Sequence, residues 1–220
     1  MVEQIANEPG CSYVAWTDML TVPYNFAETA ARIEERALSC DPLSPYNWFS
    51  RVRTLNWLRD HEAAIAVGEE ALAIGMEENV VDEMILANLA LGRLSGAQSV
   101  VDTSTVGENR RLYQRLTITA SSGDRVATYD LLEQILIKGE EPLFSFVAVA
   151  RAGKRKDVNR MAAEIDARPF GHLLLGDILI VCECGAPWDL KVTPNFEQIL
   201  NDADLPWPPD SPINWPLKDW

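Results

Sequence analysis

Apolar residues recur at three- and four-residue spacing along most of the chain, which is the period of an amphipathic helix. One example is the stripe of Ala30, Ile33, Ala37 and Leu38. Short turns rich in proline, glycine or charged residues separate these periodic segments. The pattern therefore predicts an all-α fold in which consecutive helices pair across short turns.

Five helix pairs and one further helix account for residues 11–185. The predicted pairs lie near 11–42, 45–76, 78–102, 109–138 and 140–168, and the further helix covers 170–184. A covering helix is expected because the last unit of a helical stack would otherwise expose its apolar face to water. We assign residues 1–185 to one helical domain on this basis.

The composition changes after Gly185. Residues 186–220 contain seven of the 13 prolines and four of the seven tryptophans. Dense proline favours an extended chain, although a short helix at 195–201 can follow Pro194. We expect the tryptophans to pack back onto the helices, because large aromatic side chains are usually buried. The alternative is a tail that lies in a groove and shapes a ligand site.

Two segments 34 positions apart have similar sequences, Glu35-Arg36-Ala37-Leu38 and Glu69-Glu70-Ala71-Leu72. Ala30 and Ala64 keep the same register, and Ala97 lies close to it. This period is that of one helix-turn-helix unit in a stacked solenoid. Small residues at these points allow two helices to approach closely.

With Pro42, Pro45 and Trp48, these alanines resemble the tetratricopeptide repeat, although Arg51, Val52 and Met76 depart from its usual residues. The resemblance implies a right-handed superhelical solenoid of about five antiparallel pairs, whose first helices line a concave binding face. It implies as binding candidates Tyr46, Phe49, Arg53, Asn56 and Trp57 in the second unit, and Arg110, Tyr113 and Thr117 in the fourth.

Aromatic and arginine side chains at these positions suit a peptide or an acidic segment. The family's carboxylate clamp is not reproduced, because Phe49 and Arg53 occupy two of its positions. The alternative for every candidate is packing against the neighbouring repeat.

The segments Pro42-Leu43-Ser44-Pro45-Tyr46-Asn47-Trp48 and Gly185-Ala186-Pro187-Trp188-Asp189-Leu190, with the ending at Trp220, are similar to a bacterial subgroup. In that subgroup, repeat modules lie C-terminal to winged-helix transcription regulators or adenylate-cyclase-like proteins. The similarity implies a non-catalytic module that binds a protein or peptide within a regulatory protein. Two alternatives are a small-molecule sensor, with its ligand enclosed by the groove and the tail, and a homo-oligomerisation module.

The formal charge of −14 at pH 7 repels phosphate backbones and anionic lipid, so we expect no direct binding to nucleic acid or membranes. The basic run of Arg151, Lys154, Arg155, Lys156 and Arg160 is expected to be solvated at a turn. The apolar stretch Leu173–Cys184 is shorter than the roughly 20 residues of a membrane span, and 1–10 lack signal-peptide features. These features predict a cytoplasmic protein.

The four cysteines, Cys11, Cys40, Cys182 and Cys184, are expected to be buried or half-buried free thiols. Neither His61 nor His172 has ligand spacing to the Cys182–Cys184 pair, so no metal or other cofactor is predicted. The sequence also lacks a phosphate-binding glycine loop, a nucleophile elbow and a paired-histidine motif. No catalytic residue is therefore predicted.

Overall fold

A computed structural model describes residues 27–77, 79–139, 142–209, 213, 215 and 216. Within these ranges the chain forms eleven α-helices and one 3-10 helix, and no strand. The all-α prediction is therefore confirmed. The predicted helix at 12–20, the first of the first pair, lies outside the described residues.

The chain divides into two compact units, 1–107 and 108–220. The described part of the first unit contains α1 (Ala27–Cys40), α2 (Pro45–Trp57), α3 (His61–Ala73), α4 (Val80–Ala90) and α5 (Leu94–Thr103). Each helix packs against the next, and α2 also packs against α4. The pairs α2/α3 and α4/α5 are thus helical hairpins whose first helices are in contact.

The second unit repeats this arrangement with α6 (Glu108–Ser122), α7 (Arg125–Lys138), α8 (Pro142–Arg151), α9 (Arg155–Asp166) and α10 (Gly171–Cys182). Helices α6/α7 and α8/α9 form hairpins, and the first helices α6 and α8 pack together. Helix α10 packs on α8 and α9, where the sequence predicts a covering helix. A 3-10 helix (Leu190–Val192) and α11 (Pro194–Asp202) follow, so the predicted short helix after Pro194 is also confirmed.

One turn geometry connects the helices of the four hairpins that lie within the described ranges. The left-handed conformation is adopted by Arg59, Gly92, Gly123 and Gly153, with φ between 61° and 80°. The following residue donates its backbone N–H to the carbonyl five positions earlier, at 2.8–3.2 Å in each turn. This bond ends a helix in the Schellman motif and needs a residue that tolerates positive φ, which explains the glycines. The hairpins are therefore equivalent in their turns although their sequences differ.

The small residues predicted at helix contacts are buried. Their side chains are at most 2% exposed at Ala30, Ala37, Ala64, Ala71 and Ala97. Ala64 and Ala71 on α3 lie in one cluster with Phe49, Val52 and Met84. Methyl side chains at these points leave room for neighbouring helices to approach, as the repeat pattern requires.

Trp188 and Trp207 of the C-terminal segment lie in one aromatic cluster with residues of α8 and α11, whereas Trp220 lies outside the described residues. The Trp188 side chain is fully buried, and its ring lies edge-on to Phe146 of α8 with 5.8 Å between centroids. Phe196 of α11 and Trp207 complete the cluster, at 6.0 and 5.3 Å from Trp188. These aromatic contacts attach the tail to the helices.

The prediction of free thiols is wrong for Cys40, Cys182 and Cys184, and Cys11 lies outside the described residues. Cys182 and Cys184 form a disulfide, and Cys40 is also disulfide-bonded. Residues two apart on a helix point to different faces, but α10 ends at Cys182. Glu183 adopts a left-handed φ of 50°, which turns the chain and returns Cys184 to its partner.

The contact between α10 and α9 gives a test with a matched control on one helix. A Cβ built at Gly171 would lie 1.9 Å from the backbone oxygen of Ile165, whereas nothing lies within 4 Å of one built at Gly176. We expect Gly171→Ala to lower the free energy of unfolding by about 1–3 kcal/mol because the backbone must move. Gly176→Ala should raise it by roughly 0.5–1 kcal/mol. Urea denaturation of both variants measures the difference, and equal stabilities would contradict the packing described.

Candidate functional site

Three of the predicted binding residues on α2 are buried and bind another helix of the same unit. Arg53 Nε donates to Oε1 of Glu83 on α4 at 3.2 Å, and its guanidinium lies 4.0 Å from the Phe49 ring centroid. Asn56 Nδ2 donates to the Glu83 carbonyl at 2.9 Å and to its Oε2 at 3.3 Å. Arg53 and Asn56 thus form a polar connection between the first helices of two hairpins, and Phe49 packs against the Arg53 guanidinium.

Burial decides the electrostatics of this connection. The Glu83 side chain is buried, and burial raises the pKa of its carboxyl above the usual range, while Arg53 and Asn56 oppose the shift. The Arg53 guanidinium is committed to Glu83 and the Phe49 ring. A substitution at Arg53 is consequently expected to lower the stability of this unit, because it leaves the buried Glu83 without its partner. A loss of binding in such a variant would not locate a binding surface.

The remaining two candidates on α2 are more accessible. Tyr46 is 40% exposed, and its ring stands edge-on to Phe49 at 6.1 Å. It lines a cleft of about 280 Å³ together with Pro45, Met76, Asn79 and Val80. Trp57, at the end of α2, is half-buried. Of the five candidates in this unit, Tyr46 thus presents the most accessible side chain.

In the second unit, Tyr113 and Thr117 on α6 are also buried. The Tyr113 ring lies edge-on to Phe144 at 5.5 Å, and Arg110 places its guanidinium 4.8 Å from the centroid of the same Phe144 ring. Arg110 is half-buried. The candidates of α6 therefore pack against α8, the first helix of the next hairpin, and their role in binding stays a prediction.

Arg151, which the sequence places in a solvated basic run, is buried at 2% exposure, so that expectation is wrong for this residue. Its guanidinium donates to Thr117 Oγ1 at 2.9 Å, to the Val181 carbonyl at 2.9 Å and to the Cys182 carbonyl at 3.3 and 3.4 Å. The carbonyls at the end of α10 have no partner within their own helix and form the negative end of its dipole. They therefore provide the partners that allow the guanidinium to be buried.

Two aromatic rings complete the surroundings of Arg151. Its guanidinium carbon lies 5.3 Å from the Tyr113 ring centroid and 5.0 Å from that of Trp215. The Trp215 indole N–H donates to the Glu183 carbonyl at 3.1 Å. One side chain thus connects α6, α8, α10 and the C-terminal segment. In the sequence, the position of Arg151 directly after the apolar run 146–150 is the feature that could have indicated its burial.

Helix α7, the second helix of its hairpin, carries three exposed apolar side chains. Val126, Leu136 and Ile137 are 74%, 47% and 77% exposed. A groove of about 410 Å³, which we call the α7 groove, is lined by Tyr129, Asp130, Leu132, Glu133, Leu136, Ile137 and Lys154. The Lys154 ammonium lies 4.4 Å from the Tyr129 ring centroid. None of the eight residues predicted from the repeat pattern lines this groove.

The described ranges contain neither a metal-binding cluster nor a membrane-spanning helix. No group of three or more histidine, cysteine, aspartate and glutamate side chains there could hold a metal ion. The helices in those ranges include none with both the length and the apolar character needed to cross a membrane. The α7 groove and the cleft beside Tyr46 are concave surfaces that a partner could occupy.

Glu83 gives a prediction about pH. Burial raises the pKa of the Glu83 carboxyl in the folded state. Its contribution to the free energy of unfolding is therefore present in full below the unfolded pKa near 4.5, and it is lost as the pH rises through the folded pKa. The wild type should therefore lose stability relative to Glu83→Gln as the pH rises above about 4.5. Urea denaturation of both proteins at several pH values measures this difference. A wild-type advantage that grows with pH would instead show that the attraction of Arg53 exceeds the cost of burial.

Arg151 gives a prediction about stability. Arg151→Lys removes the planar fork that reaches three acceptors, so we expect the free energy of unfolding to fall by about 2–4 kcal/mol. Arg160→Lys is the control, because the Arg160–Glu164 pair is exposed and should contribute less than about 0.5 kcal/mol. Denaturation followed by tryptophan fluorescence measures both changes. Equal effects would contradict the structural role of Arg151.

Comparison with known proteins provides no relative from which a function could be transferred. No family model matches the chain, and neither a curated protein nor a solved structure does. The similarity to the tetratricopeptide repeat therefore rests on the residues and spacing given above. Function has to be argued from the surfaces that the helices present.

Proposed function

We propose that this chain is a non-catalytic helical-repeat scaffold that binds a protein or peptide segment. In this proposal the hairpins continue as a right-handed superhelical solenoid, and the chain is the partner-binding module of a bacterial regulatory protein. The helical hairpins with equivalent turns support the repeat architecture. A cytoplasmic location is part of the proposal, although disulfides such as Cys182–Cys184 are more typical of an oxidising compartment.

The α7 groove is the observation that carries the proposal. It places the exposed side chains of Leu136 and Ile137 beside the aromatic ring of Tyr129. Apolar side chains with an aromatic neighbour are typical of the central part of a protein-binding surface. Ile137 at 77% exposure would gain most from being covered, because burying an aliphatic side chain is favourable.

The two alternative functions have less support. In a sensor, the groove and the tail would enclose a small molecule, but Trp188 of the tail packs directly on Phe146. In a homo-oligomer, the exposed side chains of α7 would meet a second copy of the chain. Light scattering after size-exclusion chromatography distinguishes the oligomer from a monomer that binds peptides.

A peptide array tests the proposal with a matched pair of variants on one helix. Random dodecamer peptides are probed with labelled wild type, Ile137→Ala and Val126→Ala. Ile137 and Val126 are similarly exposed, but only Ile137 lines the groove. We expect Ile137→Ala to weaken the binding of selected peptides by roughly five- to tenfold, since part of a buried aliphatic side chain is lost.

The control should bind the same peptides as the wild type, with affinities measured in solution by fluorescence anisotropy. An array on which the wild type binds no peptide would refute the scaffold function. Equal binding by Ile137→Ala would show that peptides bind elsewhere, for which the cleft lined by Tyr46 is the next surface to test.

A further inference from the structure

We infer that the α7 groove selects a partner segment in which a leucine-sized apolar side chain stands beside arginine or lysine. The inference rests on the proposed function and specifies the chemistry of its partner. It is carried by the arrangement of aliphatic side chains and carboxylates on one face of α7.

The apolar half of the site comes from the end of α7. Leu132 is buried and forms the floor, while Leu136 and Ile137 are exposed at 47% and 77%. Leu132 and Leu136 lie four residues apart, so their side chains are on the same face of the helix. This surface can contact an aliphatic side chain of the partner.

The polar half comes from Asp130 and Glu133, which line the same groove. Both side chains are exposed, and no described residue donates a hydrogen bond to either carboxylate or pairs with it. Residues three apart on a helix are neighbours on its surface, so the two negative charges lie close together. They are available to accept hydrogen bonds from a guanidinium or ammonium group.

Lys154 is the basic residue of the lining, and its position leaves the carboxylates in excess. Its ammonium lies over the Tyr129 ring, 4.4 Å from the centroid, and no ion pair joins it to Asp130 or Glu133 in the described residues. The lining therefore holds two carboxylates and one ammonium. The overall charge of −14 acts in the same direction, since it attracts basic and repels acidic partners.

The experiment uses synthetic decapeptides with two leucines separated by one to four residues. Each spacing is made in three versions whose flanking residues are arginine, glutamine or glutamate, and the remaining positions are alanine and glycine. Fluorescence anisotropy measures the dissociation constants of the full chain for each labelled peptide. We expect the arginine version of at least one spacing to bind about tenfold or more tightly than its glutamate version, with the difference reduced at high salt.

The carboxylates are tested with Asp130→Asn/Glu133→Gln, which keeps the shape of the groove and removes two charges. This variant should bind the arginine peptide about two- to tenfold more weakly. The control is Glu69→Gln/Glu70→Gln on α3, which removes the same charge from two exposed residues outside the groove. It should bind as the wild type does.

The outcomes separate this inference from the scaffold function. If glutamine and arginine peptides bind equally, or if both double variants change binding alike, the groove does not select a basic partner, although the scaffold function stands. Tighter binding of glutamate peptides would overturn the inference in the same way. If none of the decapeptides and no peptide of the array binds the wild type, the inference and the proposed function are both refuted.

Discussion

Buried guanidinium groups connect helices that are not neighbours in sequence. In the first unit, Arg53 of α2 binds Glu83 of α4. In the second unit, Arg151 of α8 binds Thr117 of α6 and the last carbonyls of α10. The hairpin turns align helices that follow each other, but they place no constraint on the next hairpin. These arginines and the apolar contacts around them supply that constraint, and a planar group with five donors suits the task better than an ammonium would.

The first helices use most of their predicted binding residues for contacts with other helices of the same unit. In the tetratricopeptide repeat, first helices line the face that meets a partner. In this chain, five of the eight candidates on first helices are buried by contacts within the fold: Phe49, Arg53, Asn56, Tyr113 and Thr117. In the second unit, accessible apolar side chains are found on the second helix α7. The segment that contains Trp215 adds a further layer over Arg151. A binding surface on α7 is compatible with this packing, because it leaves the buried polar contacts intact.

Much of the fold could be predicted because its determinants are local. A left-handed glycine followed by a helix cap is visible at Gly123 and Asp124, and Asp124 accepts from the Ala127 N–H as a cap should. The alanines at 64 and 71 revealed the helix contacts through their spacing. The candidate site was harder to predict. A position in the repeat predicts an accessible side chain only if the neighbouring repeats leave that face of the helix uncovered. Glu83 decided this question for α2 and Arg151 decided it for α6, and neither was among the candidates that the pattern gave.

The sequence by itself determined the helices, their turns and the short helix after Pro194, because each depends on neighbours within a few positions along the chain. It indicated the small residues at helix contacts through their recurrence at about 34 residues. Only the tertiary structure decided which charges are buried and which surface stays exposed. Arg151 and Arg160 belong to one basic run, yet the first is enclosed by three helices and the second is in solvent. Likewise, Cys182 and Cys184 could bond only because α10 ends between them. Burial and pairing are set by groups that are distant along the chain, and the order of residues does not state which of them will meet.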